Sequence, residues 1–425
     1  MIMPAVRHPA CVGRGPFTAM NQQQVVRILT DLVKIESVNP GLVPGGGGEA
    51  AIARHVVEFL KSAGLEARLQ EVSPGRFNAL GILRGSGAGR SLMLNGHLDT
   101  VGVMGMQDPF SARVENGRLY GRGAQDMKGG LAAAMAAVAA LAREPKLKGN
   151  VVLAAVADEE NQSLGTRALL QELRTDAAIV MEPTSLEVDT AHKGFVWAEI
   201  VTFGRAAHGS RPEEGLDAII FMGRVLGEIE RLQEKLTSGP QHPLLGCGSM
   251  HASQIAGGQE LSSYPARCRL SLERRLVPGE DASTLETELE DIVGRLGARD
   301  PHFRAQVTLG YSADPLETAR ESPIVQRLAA CVARVTGRKA VLGVQTFWTD
   351  AALLSEAGIP SVLFGPGGEG LHSDVEYVRV EDVLLCARAL AECGDTDQWR
   401  EMYEAWVEWA FADLHRKKKQ CRRKK

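Results

Sequence analysis

The run Leu92-Met93-Leu94-Asn95-Gly96-His97-Leu98-Asp99 decides how this chain is read. A short apolar segment with no alternation passes directly into an imidazole and a carboxylate. Three other runs end in a similar way. Val151-Val152-Leu153-Ala154-Ala155-Val156 leads to Asp158-Glu159-Glu160, and Ala177-Ala178-Ile179-Val180-Met181 leads to Glu182-Pro183. Ser361-Val362-Leu363-Phe364 leads into a glycine-rich loop that ends at His372. Unalternated apolar runs fit strands covered on both faces, as in parallel sheets. Helical stretches between them, such as the Ala-rich residues 127–142, supply the crossovers. Sites in open α/β sheets lie beyond the carboxyl ends of the strands, and the chemically active residues here fall at those ends. The expected fold class is α/β with a mostly parallel sheet.

Working outward, residues 21–35 carry apolar positions at helical spacing (Val25, Ile28, Leu29, Leu32, Val33) until Pro40 and the glycines 45–48 break the pattern. A second helix is expected over 49–63, closed by Gly64. The character changes after about Ala191. Partly alternating runs at 195–201 and 268–273 read as antiparallel strands, with an amphipathic helix over 218–236 between them. The α/β pattern returns with helices at 324–335 and 351–357. The expected organisation is therefore a discontinuous α/β domain (21–190 and 309–412), an inserted α+β, ferredoxin-like segment (191–308), and flexible termini (1–20 and 413–425). Met20 competes with Met1 as the working start.

Composition narrows the function classes. Apolar residues make up 44% and charged residues 24%, the balance of a soluble globular chain. The net charge is −4, but residues 414–425 hold eight Lys/Arg and no acid; subtracting those eight leaves −12 for the rest. A like-charge block reads as a solvated tail, and the acidic body argues against nucleic acid as a partner. No apolar run reaches the roughly 18 residues of a membrane span. Seven cysteines stand singly, at 11, 247, 268, 331, 386, 393 and 421, which suits a reducing compartment, with the cytoplasm as default.

Each candidate residue has an ordinary reading when taken alone. His97-x-Asp99 fits a metal ligand with a supporting carboxylate, yet such pairs are usually structural. Asp126, inside Gly121-Arg122-Gly123-Ala124-Gln125-Asp126-Met127-Lys128-Gly129-Gly130, fits an N-cap. That reading leaves the glycine density unexplained, whereas a carboxylate shared between cations needs close backbone approach. Glu159 and Glu160 fit first-turn acids, or a ligand beside a base. Glu182 and His372 complete a set whose donors suit zinc, cobalt or manganese rather than calcium.

Taken together, the motifs resemble the co-catalytic metallohydrolases of peptidase family M20: the aminoacylases, acetylornithine deacetylases, succinyl-diaminopimelate desuccinylases and glutamate carboxypeptidases. The resemblance runs over about 25–383. It rests on Asn-Gly-His-Leu-Asp-Thr-Val at 95–101, the glycine-rich 121–130, Ala-Asp-Glu-Glu at 157–160 and Met-Glu-Pro-Thr at 181–184. Gly-Arg-Ala-Ala-His-Gly-Ser at 204–210 and residues 364–378 add to it. It implies two divalent metal ions, zinc first, with cobalt or manganese as alternatives. His97, Asp126 and Glu182 would hold one ion; Asp126, Glu160 and His372 would hold the other. Glu159 would be the general base and Asp99 would orient His97. The bond after Asp126 would be cis.

The resemblance also makes the inserted segment a lid and dimerisation domain. His208 would reach the site of a second subunit and polarise the scissile carbonyl, and Arg275 would bind the substrate carboxylate. Ser262 stands where many relatives have a substrate-binding Asn, so that contact is altered here. Relatives with Glu at the Glu182 position tend to be deacylases, while peptidases tend to have Asp. The expected activity is removal of an acyl group from an N-acyl amino acid, in a homodimer. An M20 carboxypeptidase or dipeptidase is the alternative, and a non-catalytic ligand-binding relative the remoter one.

Overall fold

The structure is a computed structural model that describes residues 20–144 and 147–394. The basic run 414–425, Cys11, Cys421 and nearly all of both expected terminal segments lie outside the described residues.

A nine-stranded sheet forms the larger unit. Its order is β1 (Glu66–Ser73), β2 (Arg76–Leu83), β6 (Val151–Val156), β3 (Leu92–His97), β7 (Ala177–Val180), β15 (Ser361–Leu363), β8 (Val188–His192) and β13 (Leu316–Glu317), with β14 (Leu342–Gln345) paired to β8. The four central strands β6-β3-β7-β15 are mutually parallel. The flanks are not: β1-β2, β2-β6, β15-β8 and β8-β13 pair antiparallel. The sheet is thus mixed, with a parallel centre. The unalternated apolar runs of the sequence mark that centre, where the side chains on both faces are buried.

The cover is visible residue by residue. Leu92, Leu94, Val151, Leu153 and Ala155 pack into one core with helices α1 (Gln22–Lys34), α2 (Ala50–Ser62), α3 (Gly129–Leu141), α7 (Pro323–Thr336) and α9 (Val380–Gly394). Met93, Val152, Ala154 and Val156 point the other way, into a second core with α4 (Leu164–Glu172) and α8 (Ala351–Glu356). Period-two alternation of strand side chains distributes one apolar run over two cores.

The smaller unit is a four-stranded antiparallel sheet, β10 (Ser249–Gly257), β11 (Arg267–Leu276), β9 (Gly194–Phe203) and β12 (Ala305–Ala313). Helices α5 (Ala218–Ser238) and α6 (Ala282–Arg299) close its core, in which Val196, Ala198 and Ile200 meet Met222, Val225, Leu285 and Leu289. A third, small sheet joins β4 (Arg113–Glu115), β5 (Arg118–Tyr120), β17 (Tyr377–Arg379) and β16 (Gly368–Glu369). The sequence reading did not contain it, since its strands are two or three residues long. It ties the loop before Asp126 to the loop carrying His372.

The glycines at the head of α3 have a steric reason. A β-carbon on Gly130 would lie 2.0 Å from the Met181 carbonyl oxygen. The helix start therefore packs backbone against backbone on the residue before Glu182. Gly130→Ala is expected to lower stability by at least about 1–3 kcal/mol through overpacking and to reduce bound metal. Gly294→Ala on α6, where an added β-carbon meets nothing within 4 Å, is expected to raise stability by about 0.4–1 kcal/mol. Urea denaturation and metal analysis of the two variants check both.

Candidate metal centre

Parallel strands deliver their carboxyl ends to one edge of the sheet. His97 is the last residue of β3, Glu159 and Glu160 follow β6, and Glu182 follows β7. Asp126 arrives from a different route. It lies in a tight turn over Ala124–Lys128 with non-helical dihedrals at Asp126 (φ −115, ψ 95) and Met127 (φ −129, ψ 33). The Asp126–Met127 peptide is cis. Asp126 does not cap α3, which starts only at Gly129. Instead its two carboxylate oxygens diverge: one lies 3.0 Å from His97 Nε2, the other 3.1 Å from His372 Nε2. His372 also lies 3.3 Å from Glu160.

Two groups of donors result, each with all its atoms within 4.8 Å of one another: His97, Asp126 and Glu182, and Asp126, Glu160 and His372. They share Asp126. The donor set fits a pair of divalent cations. Imidazole and carboxylate are the usual ligands of such ions, and Glu160 Oε1 is buried with no hydrogen-bond partner among the described residues. Burial, followed by the neighbouring charges of Glu182, Asp350 and Glu160, pushes the Glu159 carboxyl well above the usual range; burial and Asp126 do the same to Glu182. Hydrogen bonds that its protonated ring donates to Asp126 and Glu160 hold the His372 imidazole up at about 10. His97 is raised too: burial works against it, but Asp126, Glu159 and Glu182 prevail.

Asp99 meets His97 more closely through its main chain than through its carboxylate. The Asp99 backbone carbonyl, 2.8 Å away, is the partner of His97 Nδ1, while the carboxylate stands 3.9 Å off. That carboxylate instead accepts from the backbone N–H groups of Glu159 (3.1 Å) and Glu160 (3.2 Å) and from Asn39 Nδ2 (2.7 Å). It fixes the glutamate pair. Asn39 also donates to Asp158, whose left-handed backbone (φ 69) turns the chain out of β6. Arg76 pairs with both Asp158 and Glu49 beneath this turn.

Sequence reasoning missed the group that holds the Asp126 turn. Glu376 is buried, and its carboxylate accepts from Arg122 Nη1 (2.7 Å) and from the N–H groups of Gly123 (3.0 Å), Gln125 (2.8 Å) and Asp126 (3.1 Å). The available signal was an acid four residues past His372, inside a segment otherwise read only for its histidine. Asp350 was missed as well; it is buried, accepts from Thr166 at 2.6 Å, and its charge acts on Glu159 and Glu182.

The remaining candidates sit on the smaller unit. His208 and Ser262 are exposed neighbours: His208 bridges Ser263, and the Gly209 N–H donates to the Ser262 carbonyl. No hydrogen bond among the described residues joins either to the metal-ligand groups. Arg275 donates through Nε to Glu273 at 2.7 Å and lies over the Phe195 ring.

A family model described as Peptidase family M20/M25/M40 matches residues 93–394. The chain belongs to this family. It is accordingly a hydrolase of amide C–N bonds. It is 33% identical over 352 residues to an acetylornithine deacetylase of Myxococcus xanthus, covering 79% of this chain and 87% of that one. It is 26% identical over 426 residues to a probable succinyl-diaminopimelate desuccinylase of Staphylococcus epidermidis, covering 92% and 100%. A Bacillus subtilis protein described as a dinuclear metal binding peptidase from the M20 family shares the fold, with a TM-score of 0.68 at 15% identity, over 88% of this chain and 97% of that one. No helix among the described residues is long and apolar enough to cross a membrane.

Two outcomes test this geometry. Glu376→Gln places an amide N–H₂ against four donors, so bound metal per chain should fall and turnover with it, while far-ultraviolet circular dichroism stays native. Because raised imidazoles must lose protons to bind a cation, metal affinity should climb with pH as His372 deprotonates towards about pH 10. Calorimetry in buffers of different ionisation enthalpy would show proton release on binding.

Proposed function

We propose that this protein removes the acyl group from N-acyl amino acids, in the manner of an acetylornithine deacetylase or succinyl-diaminopimelate desuccinylase. The observation that carries the reading is Asp126 shared between two donor groups, with Glu159 on the same strand end as Glu160. The names of the curated relatives support a deacylase over a peptidase, as does a glutamate at position 182. We assign His97, Asp126 and Glu182 to one divalent ion and Asp126, Glu160 and His372 to the other, with zinc as the metal.

Bound there, the ions would supply an acidified water and electrophilic stabilisation of the carbonyl oxygen. Glu159 takes the proton from the attacking water; its raised pKa, caused first by burial, suits a base that must later act as an acid. It then delivers that proton to the leaving amine. Asp99 holds the Glu159 backbone in place for both transfers. Arg275 receives the substrate carboxylate through its planar fork.

We infer that the smaller unit is a lid and that two chains pair through it, so that His208 serves the partner's site. Its exposure and the uncovered edge strand β10, with Ile255 56% exposed, support this reading. Cys331, Cys386 and Cys393, buried and outside any disulfide among the described residues, support a reducing, cytoplasmic setting.

Metal-reconstituted protein should release amine from N-acyl amino acids, read by amine detection across acyl amino acids and dipeptides, and sediment as two chains. Glu159→Ala should lower kcat by about 10²–10⁴-fold with both metals retained. Cleavage of dipeptides alone would overturn the deacylase assignment.

A further inference from the structure

Strand β9 presents two faces of opposite character. Val196, Ala198 and Ile200 enter the core under α5 and α6. Phe195 and Trp197 alternate with them and so face the other way, away from α5 and α6. Trp197 is 48% exposed. Tyr311, at the bulge of β12, joins them: ring centroids lie 5.4 Å apart for Phe195–Trp197, 5.8 Å for Phe195–Tyr311 and 5.9 Å for Trp197–Tyr311. A fourth ring arrives from the larger unit. Trp348 meets Phe195 edge-on at 6.4 Å. It lies two residues before Asp350, the buried acid whose charge acts on Glu159 and Glu182.

None of these four rings belongs to a hydrophobic core among the described residues. They form an aromatic wall where the two units meet, reached from the larger unit through Trp348, two residues from Asp350. Arg275 stands on the same face, directly across from Phe195 in register and 5.2 Å over its ring. Its Nε is held by Glu273, which also accepts from Trp197 Nε1 at 2.9 Å. The terminal guanidinium nitrogens remain for an incoming carboxylate. A carboxylate fork flanked by rings is the pattern of a site for an amino acid with a ring or other bulky apolar side chain.

We propose that this wall selects the amino-acid half of the substrate: an N-acyl amino acid with an aromatic or large apolar side chain, its carboxylate on Arg275 and its side chain against Trp348 and Trp197. The proposal rests on the deacylase reading above. A substrate with an ammonium side chain fits less well. Of the carboxylates on this face, Glu273 is already shared between Arg275 and Trp197 and Glu199 already pairs with Arg269, while the face of Phe195 already carries a guanidinium. A second cation there would meet like charge.

The test uses the full, metal-reconstituted chain. kcat/KM is measured for N-acetylphenylalanine, N-acetyltryptophan, N-acetylalanine and N-acetylornithine. The expected result is a preference of about tenfold or more for the aromatic substrates over both others, the scale of one well-formed ring contact. The ratio of kcat/KM for N-acetylphenylalanine to that for N-acetylalanine should fall about tenfold in Trp348→Ala, through KM rather than kcat, and recover in Trp348→Phe. A loss of both activities together, with the ratio unchanged, would mean that the rings only pack the two units and would overturn the proposal. So would N-acetylornithine as the best substrate, which leaves the deacylase reading intact. No hydrolysis of any N-acyl amino acid, alongside cleavage of dipeptides, removes both.

Discussion

Gathering Asp126, Glu160 and Glu182 into two donor groups that share Asp126, with the charge of Glu159 acting beside them, is the constraint on which the rest of this structure turns. Buried carboxylates repel one another and lose hydration. Here the two imidazoles of His97 and His372 offset only part of that charge. The upward push on Glu159 and Glu182 records the remainder, and a pair of divalent cations is the compensation that the donor geometry fits.

Much of the surrounding architecture keeps these charges from drifting apart. Asp99 clamps the Glu159-Glu160 backbone, Asn39 ties Asp99 to Asp158, and Arg76 neutralises the acids behind them. On the other side Glu376 gathers four donors of the Asp126 turn and so couples it to the His372 loop. Both ligand turns use left-handed backbone at non-glycine residues, Asp158 and His372. Such conformations cost free energy and persist where surrounding contacts over-determine them. Every oxygen that holds a turn is thereby unavailable to a ligand. The carboxylates thus divide into those whose oxygens face the candidate metal sites and those that position the backbone.

The two units divide the chemistry in the same way. The larger one builds a rigid cluster at the edge of a buried sheet. The smaller one contributes Arg275, an aromatic face and the exposed His208, groups suited to reading a substrate rather than activating water. Trp348 and Phe195 touch across the junction, so any movement of one unit relative to the other changes the wall that the substrate meets.

The sequence alone determined the strand centres and the identity of the donors. An apolar run that fills both faces of a parallel strand has no room for polar residues until the strand ends, so His97, Glu159, Glu160 and Glu182 announce themselves. Asp126 was marked by its glycines, whose reason is now visible as the 2.0 Å approach to Met181. What only the tertiary structure decided is where the other side chains point. Asp99 was read as the partner of His97 from a spacing of two, yet its carboxylate turns to backbone donors sixty residues away. The contacts that Asn39 and Arg76 make with buried carboxylates carry no local signal, because those partners lie between 27 and 119 residues distant along the chain, and Glu376 meets Arg122 across 254. The antiparallel flanks and the small third sheet also escaped, since short edge strands leave no periodicity to read. Local pattern specifies which residues must be buried or bent; only long-range packing specifies which of them meet.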